Sequence, residues 1–459
     1  MIVMKFGGSS LCDRDAVDRV AGIVADRLAL RPAVVVSAVG DTTDDLAAVL
    51  ERVRAGDAHG ARDAARAVRL RHEQVMGAVL PEGPERRHAA ESLGSVFGKL
   101  ERLIEGMDCL GEVSPRSSDA VLALGEIAAA PLIASFLSSR GLPAEAVDPR
   151  EIILTDAAHG RAVPIVDASA ARCAGRLRPM LEAGRLPVIG GYVGATAEGV
   201  TTTLGRGGSD LTASLVARAL GADDLEFWKD VDGILTADPG IVPEARPVPR
   251  LSFEEAAELA FLGARVLHPA SIQPAVEAGV PVRVKNSYRR DAPGTLITRE
   301  RSAGPAGGPS RAVVSIACKL DQILVNVFST RMLGASGFLR RVFEVFERLD
   351  LSVDHIATSE VNVSVTLCET PRAAELASRL GEVAEVEVRR GVGVVSVVGD
   401  RIRATPGVAA RLFGALGDIN VLLITHGGSG VNLSFVVESG SVPLAVRRLH
   451  AALFEDGRA

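Results

Sequence analysis

The sequence predicts an α/β protein: a mainly parallel, doubly wound sheet in a large first domain, followed by two small interlocked βαββαβ domains. Three observations carry this reading. Valine-rich apolar runs alternate with helical patterns over residues 1–300. A stretch of small residues, glycine and proline without periodicity, Ser302 to Ser310, then reads as a linker. Beyond it the chain repeats itself. Gly337-Phe338-Leu339-Arg340-Arg341-Val342-Phe343 returns as Gly407-Val408-Ala409-Ala410-Arg411-Leu412-Phe413, and Val361-Asn362-Val363-Ser364-Val365 as Val431-Asn432-Leu433-Ser434-Phe435, both 70 positions on.

Ile2 to Phe6 and Ala33 to Val39 read as strands around a helical pattern from Ala16 to Leu28. Arg52 to Met107 is arginine- and alanine-rich with helical spacing, broken at Pro81-Glu82-Gly83-Pro84, and predicts a helical hairpin serving as a cover or subunit contact. Strand signals return at Glu151 to Leu154, Pro187 to Ile189, Leu225 to Trp228 and Val282 to Val284. The domains expected are 1–300, a linker at 301–310, a first repeat at 311–390 and a second at 391–459. The second copy ends on a helix, Val442 to Phe454, with no strand after it. The apolar run 312–317, placed before the first copy begins, is expected to supply that missing edge.

The 459 residues carry 57 acidic and 51 basic side chains, well mixed, for a net charge of -6. No electrostatic footprint for nucleic acid results. Five cysteines stand far apart, without metal or disulfide spacing. No basic leader precedes an apolar core at the N-terminus, and no apolar run is expected to reach the ~20 residues of a membrane helix. The expectation is a cytoplasmic protein without a membrane partner.

Two glycine-rich loops, Lys5-Phe6-Gly7-Gly8-Ser9-Ser10 and Thr201 to Asp210, each follow a strand-like run. Glycines let a backbone approach an anion, and amides at a helix N-terminus donate to phosphate oxygens. Read together, the loops form two halves of one phosphate cradle, with a lysine beside the first and Arg206 and Asp210 within the second. Phosphoryl transfer needs such groups, because its catalysis is mostly positioning and neutralisation of charge.

These loops, with Lys229-Asp230-Val231-Asp232-Gly233-Ile234, Asp238-Pro239 and Gly263-Ala264-Arg265-Val266-Leu267-His268-Pro269, resemble the aspartokinases. The likeness is to the monofunctional, lysine-sensitive type, with an amino-acid kinase fold and two C-terminal ACT domains, and it covers nearly the whole chain. It implies transfer of the ATP γ-phosphoryl group to the β-carboxylate of L-aspartate, with Mg²⁺, at the head of lysine, threonine and methionine synthesis. By resemblance Lys5 and Asp210 are catalytic, while Thr43, Glu126, Arg206 and Ser209 hold the amino acid. Phe6, Gly7, Gly8, Ser9, Gly207, Gly208, Lys229, Asp230, Leu235, Gly240, Arg265 and Val266 take the nucleotide. The family often has tyrosine at Leu235, lysine at Arg265 and a basic residue at Gly240, which predicts an altered adenine contact with ATP still the donor.

No protein cage for the metal is legible; Asp44, Asp45, Asp230 and Asp232 are acidic candidates in loops. The resemblance places an amino-acid effector, lysine first, at Met332, Ser352, Val353, Asp354, Thr358, Ser359 and Glu360, where Asp354 and Glu360 bring negative charge. A serine common after that methionine in the family is Ala335 here. It also implies a homo-oligomer, a dimer or a dimer of dimers, joined through the ACT domains. Two other readings use the same residues: a related kinase with glutamate, acetylglutamate, carbamate or UMP as acceptor, and a non-catalytic amino-acid sensor.

Overall fold

The computed structural model describes residues 1–262, 267–299, 312–329, 336–426, 428 and 430–455. The linker 301–310 lies outside them. The chain divides into two compact units, Met1–Ile234 with Val266–Arg299, and Leu235–Arg265 with Glu300–Ala459.

Apolar runs buried on both faces build the sheet of the first unit, as parallel strands covered by helices require. Its strands run in the order Ala144–Val147, Leu186–Gly190, Pro32–Val36, Ile2–Phe6, Asp224–Lys229, Val282–Asn286 and Thr295–Thr298. The first six are parallel, and Thr295–Thr298 is antiparallel to its neighbour. Ile2–Phe6 is central: Lys5 stands opposite Val35 on one side and Phe227 on the other. A buried lysine in the middle of a sheet is exceptional, and this one lies one residue from the strand's C-terminal end, where open α/β sheets bind ligands.

The expected helical hairpin is present as Ala58–Val79 and Pro84–Leu110. Asp57 caps the first by accepting from the Gly60 amide, and Pro84 opens the second at a position where its missing N–H costs nothing. Their apolar faces join the core cluster of the first unit through Ala61, Val68, Leu93, Phe97 and Leu100.

Two expectations need correction. Glu151 to Leu154 is not a sheet strand. Pro149–Ile152 forms a turn of helix capped by Asp148, which accepts from the Arg150 amide, and the edge strand is Ala144–Val147 instead. The segment Pro115–Ser139 is long and apolar enough to cross a membrane by length and composition, contrary to the reading that no such run exists. Its apolar window is 78% buried inside the fold, and it carries the buried carboxyl groups of Asp119 and Glu126.

In the second unit one six-stranded antiparallel sheet runs His355–Thr358, Asn362–Cys368, Ser315–Phe328, Glu385–Val398, Asn432–Glu438, Leu423–His426. Two long strands tie its halves together. Ile323 to Phe328 pairs with Asn362 to Leu367, and Leu324 to Phe328 with Glu385 to Arg389, in the first copy, while Ser315 to Lys319 pairs with Val394 to Val398, which also pair with Asn432 to Val436 in the second. Each half therefore has four strands in equivalent order. Their helices pack on separate cores, one around Phe338, Val342 and Leu376, the other around Leu412, Phe435 and Leu449.

The segment Leu235–Arg265, placed by sequence in the first domain, clusters with the second unit. The Ile316 amide donates to the Thr236 carbonyl, Ser315 Oγ to the Leu235 carbonyl, and Ala237 and Val242 join the second copy's core. Composition near the linker carries no trace of these distant contacts.

Candidate active site

A cleft of about 440 Å³ in the first unit is lined by Lys5, Ser37, Thr43, Glu126, Tyr192, Gly205, Arg206, Gly207, Gly208, Ser209 and Asp210. All six residues expected to be catalytic or to hold the amino acid are brought together here. Lys5 comes from the central strand, Thr43 from the first turn of Thr42–Arg54, and Glu126 from the first turn of Leu124–Ser139. Ser209 and Asp210 open the helix Gly208–Leu220.

The two glycine loops have definite steric causes. A Cβ on Gly8 would lie 2.5 Å from the Gly40 carbonyl oxygen, so the first loop can press against its neighbour only with glycine. Gly205 and Gly207 have φ of 72° and 74°, the left-handed region where side chains are strained. This double reversal turns the chain from the strand Thr201–Thr203 into the helix. Among the described residues no side chain caps that helix; the Gly208 amide donates to the Gly205 carbonyl at 3.0 Å, and the Ser209 and Asp210 amides and the dipole are left to an anion.

Lys5 Nζ lies 2.7 Å from Asp210 Oδ1, and Lys229 Nζ lies 3.4 Å from Oδ2. Burial disfavours the Asp210 carboxylate, but the two ammonium groups outweigh it and hold its pKa below the ordinary range. For Lys229, burial and then the like charge of Lys5 prevail over attraction to Asp210 and lower its pKa. The sequence reading assigned Lys229 to the nucleotide alone. The structure adds it to a triad of two cations around one carboxylate.

Glu126 behaves oppositely. Burial pushes its pKa up to about 8, against donation from the Ala38 backbone and the more distant charge of Lys5. Its Oε2 is buried with no hydrogen-bond partner among the described residues. An unsatisfied buried acceptor is costly unless something completes it. Arg206, in contrast, is exposed and forms no ion pair among the described residues. One wall of the cleft thus offers a carboxyl group in need of a donor, and another an unengaged guanidinium.

Tyr192 was missed. It is one of two tyrosines, follows Gly190-Gly191 at the end of a strand, and takes a left-handed φ of 64°, rare for a bulky residue. Its ring packs so closely on Gly208 that a Cβ there would meet it at 2.7 Å. The glycine pair before an aromatic at a strand's C-terminal end was the available signal.

The Phe6 side chain is fully buried and stacks on Trp228 at 6.2 Å, so only its backbone can face a ligand. Asp230 is exposed. Leu235, half-buried, and Gly240, exposed, belong to the segment that clusters with the second unit, and Arg265 and Val266 lie outside the described residues. Among the described residues no three acidic, histidine or cysteine side chains form a metal cluster. Asp45 pairs with Arg71 at 2.6 Å, and Asp232 with Arg289.

Of the effector candidates, Met332 lies outside the described residues. Ser352, Thr358, Ser359 and Glu360 are exposed and Val353 is half-buried. Asp354 already has a partner: Lys319 Nζ lies 3.0 Å from its Oδ2, with the ammonium 4.3 Å from the centre of the Phe261 ring.

Comparison with known proteins agrees with this arrangement. Residues 1–286 match the amino acid kinase family, and residues 395–453 match an ACT domain. The chain is 35% identical to lysine-sensitive aspartokinase 3 of Escherichia coli, over 99% of each protein. It is also 35% identical to chloroplastic aspartokinase 1 of Arabidopsis thaliana, over 99% of this chain and 80% of that one. The crystal structure of E. coli aspartokinase III with aspartate and ADP superposes with a TM-score of 0.83 at 34% identity, covering 99% of this chain and 100% of that one. Sequence, sheet topology and cleft therefore converge on one assignment, and the chain belongs to the aspartokinases.

Proposed function

We propose that the protein phosphorylates the β-carboxylate of L-aspartate from ATP, giving 4-phospho-L-aspartate and ADP. The observation that carries this is the pairing, in one cleft, of a buried Glu126 whose Oε2 lacks a hydrogen bond and an Arg206 without an ion pair among the described residues, beside the Lys5–Asp210–Lys229 triad. An amino-acid zwitterion completes both. Its α-ammonium donates to Glu126, and its α-carboxylate takes the planar fork of Arg206 in a bidentate contact. Thr43 and Ser209 close the pocket around it.

The acceptor carboxylate has a free pKa of ~3.9 and is already ionised at neutral pH, so no general base is required. Catalysis consists of holding two anions in line and neutralising charge as the β,γ bond breaks. The amides of the Gly7–Ser9 loop and of the uncapped helix after Gly207 cradle phosphate oxygens. Lys5 and Lys229 supply positive charge, and Asp210 fixes both ammonium groups. Mg²⁺ suits this site as an ion carried on the nucleotide's phosphates, where it adds charge neutralisation, since no described cluster would hold it alone.

The regulatory reading is that lysine binds the first ACT copy at the Ser352–Asp354 and Thr358–Glu360 stretches and inhibits by differential affinity for two states. It is supported by the acidic side chains there, and by an E. coli aspartokinase III structure, similar to this chain at a TM-score of 0.83, that was determined with lysine and aspartate. We also place the enzyme in the cytoplasm, as a homo-oligomer joined through its ACT sheets, feeding amino-acid synthesis. The deciding experiment supplies purified protein with Mg-ATP and aspartate and traps the acyl phosphate as a hydroxamate, then repeats with glutamate, with acetylglutamate and with added lysine. Turnover of aspartate alone is expected; turnover of another acceptor in its place refutes the assignment.

A further inference from the structure

Asp119 is the most deeply committed acidic side chain in the first unit that the proposed chemistry leaves unused. It lies on the helix Pro115–Leu122 and is completely buried. Its Oδ1 accepts from Thr203 Oγ1 at 2.5 Å and from the Gly160 amide at 3.0 Å, and its Oδ2 lies 3.1 Å from that amide and 2.7 Å from His159 Nδ1. Among the described residues no lysine or arginine pairs with it, and the His159 imidazole is the one nitrogen-bearing side chain against it. So many donors converging on one buried carboxylate define a rigid junction.

What the junction holds is the approach to the cleft. Thr203 ends the strand Thr201–Thr203, three residues before Arg206. Its carbonyl accepts from the Ala162 amide at 2.9 Å, and Thr202 Oγ1 meets Thr155 Oγ1 at 2.7 Å, which fastens the same strand to the loop carrying His159 and Gly160. The Gly160 carbonyl in turn sits 3.4 Å from where a Cβ on Gly205 would be. Tyr192, in the cleft wall, is tied to the same strand end: its carbonyl accepts from the Leu204 amide at 2.9 Å, and the next residue, Val193, pairs with Thr203. Helix, loop, strand and aromatic wall all meet at Asp119.

We propose that Asp119 is a positioning residue for the amino-acid end of the cleft: through Thr203 it fixes the turn that presents Arg206 and the wall formed by Tyr192. Most of the nucleotide end, the Gly7–Ser9 loop and Lys229, is built from other elements, and only the helix amides after Gly207 follow the same turn, so ATP binding depends on it far less. This inference rests on the proposed aspartate kinase activity, so wild-type turnover of aspartate is measured first and tests that reading alone.

The network is then tested with Asp119→Asn, Thr203→Val and the double variant, each checked for folding by circular dichroism. Asp119→Asn keeps the shape but turns one acceptor into a donor that faces other donors. It is expected to raise the aspartate KM about tenfold or more with the ATP KM within about twofold, and Thr203→Val to raise it about threefold to tenfold. Because both act through one contact, the double variant is expected to be no worse than Asp119→Asn. His159→Gln, whose amide can still donate to Asp119, should hold the KM closer to wild type than His159→Ala. If Asp119→Asn does not fold, the milder Thr203→Val decides. A folded Thr203→Val enzyme with an unchanged aspartate KM overturns the proposal, as does an equal rise in both KM values, the mark of general loosening.

Discussion

The kinase cleft and the C-terminal sheet use buried carboxylates in opposite ways. In the cleft, Asp210 is satisfied by two lysines of the chain, while Glu126 nearby has no cationic partner among the described residues and its Oε2 no hydrogen bond. In the sheet, Asp354 is held by Lys319 and no second buried carboxylate accompanies it among the described residues of that strand pair. The duplication makes the contrast sharper. The Asp354 amide donates to the Thr366 carbonyl at 2.7 Å, and in the second copy the Leu422 amide donates to the Val436 carbonyl at 2.8 Å. The same backbone position thus carries a charge in one copy and an apolar side chain, packed near Leu324 and Val436, in the other. A carboxylate left unpaired is completed by a ligand, whereas one already paired yields its place only to a competitor.

The strongest way to break this comparison is to remove the cation from the satisfied carboxylate. Lys5→Met takes away charge where the transferred phosphoryl group passes and leaves Asp210 only Lys229. A loss of about 10²–10³ in kcat is expected, with a smaller change in aspartate KM, measured by steady-state kinetics. A kcat within a few-fold of wild type would show that Lys5 only supports the fold. Next in size, Arg206→Lys keeps the charge but loses the fork, and should lower kcat/KM for aspartate about 10- to 100-fold, mostly through KM.

The parts legible in sequence are those whose cause is local. Valine runs announced a two-sided buried sheet, glycine loops announced close backbone approach, and the repeat of Val361 to Val365 announced a second copy. Long-range partners left no such mark. Asp119 and Thr203 are 84 positions apart and Lys319 and Asp354 are 35 apart, with no spacing rule joining either pair. Glu151 to Leu154 was misread because its apolar end resembles a strand, whereas Pro149, preset for a first helical turn, and the Asp148 cap decide the local fold. In the cleft, residue types suggested Glu126 and Arg206. That one is buried and unpaired and the other exposed and unengaged is a property of packing.

A pH titration sharpens the unpaired side of the comparison. With its pKa raised to about 8, Glu126 is mainly protonated in the empty cleft at neutral pH. Bound α-ammonium favours the carboxylate, so binding releases a proton and aspartate affinity should rise between about pH 6 and pH 8. The folded protein also holds a proton here that the unfolded chain has lost above its ordinary carboxyl pKa. This group therefore contributes against stability increasingly as pH rises from that value toward 8, until aspartate binds. Calorimetry in buffers of different ionisation enthalpy reads the released proton directly. Glu126→Gln should weaken aspartate binding about tenfold and flatten the pH dependence. A pH slope that survives this substitution assigns the proton elsewhere.

The smallest effect belongs to the paired carboxylate of the regulatory sheet. If a cationic effector is to use Asp354, it must displace Lys319, whose ammonium also rests on the Phe261 ring. Lys319→Met removes that competitor and leaves the carboxylate for the effector, so half-inhibition should come at about threefold lower lysine concentration, a shift in keeping with the modest strength of a partly solvated ion pair. Asp354→Leu, which makes the first copy resemble the second at this position, should abolish the response without lowering basal kcat. Inhibition by lysine that is indifferent to both substitutions would mean that the acidic position distinguishing the two copies has no part in recognising the effector.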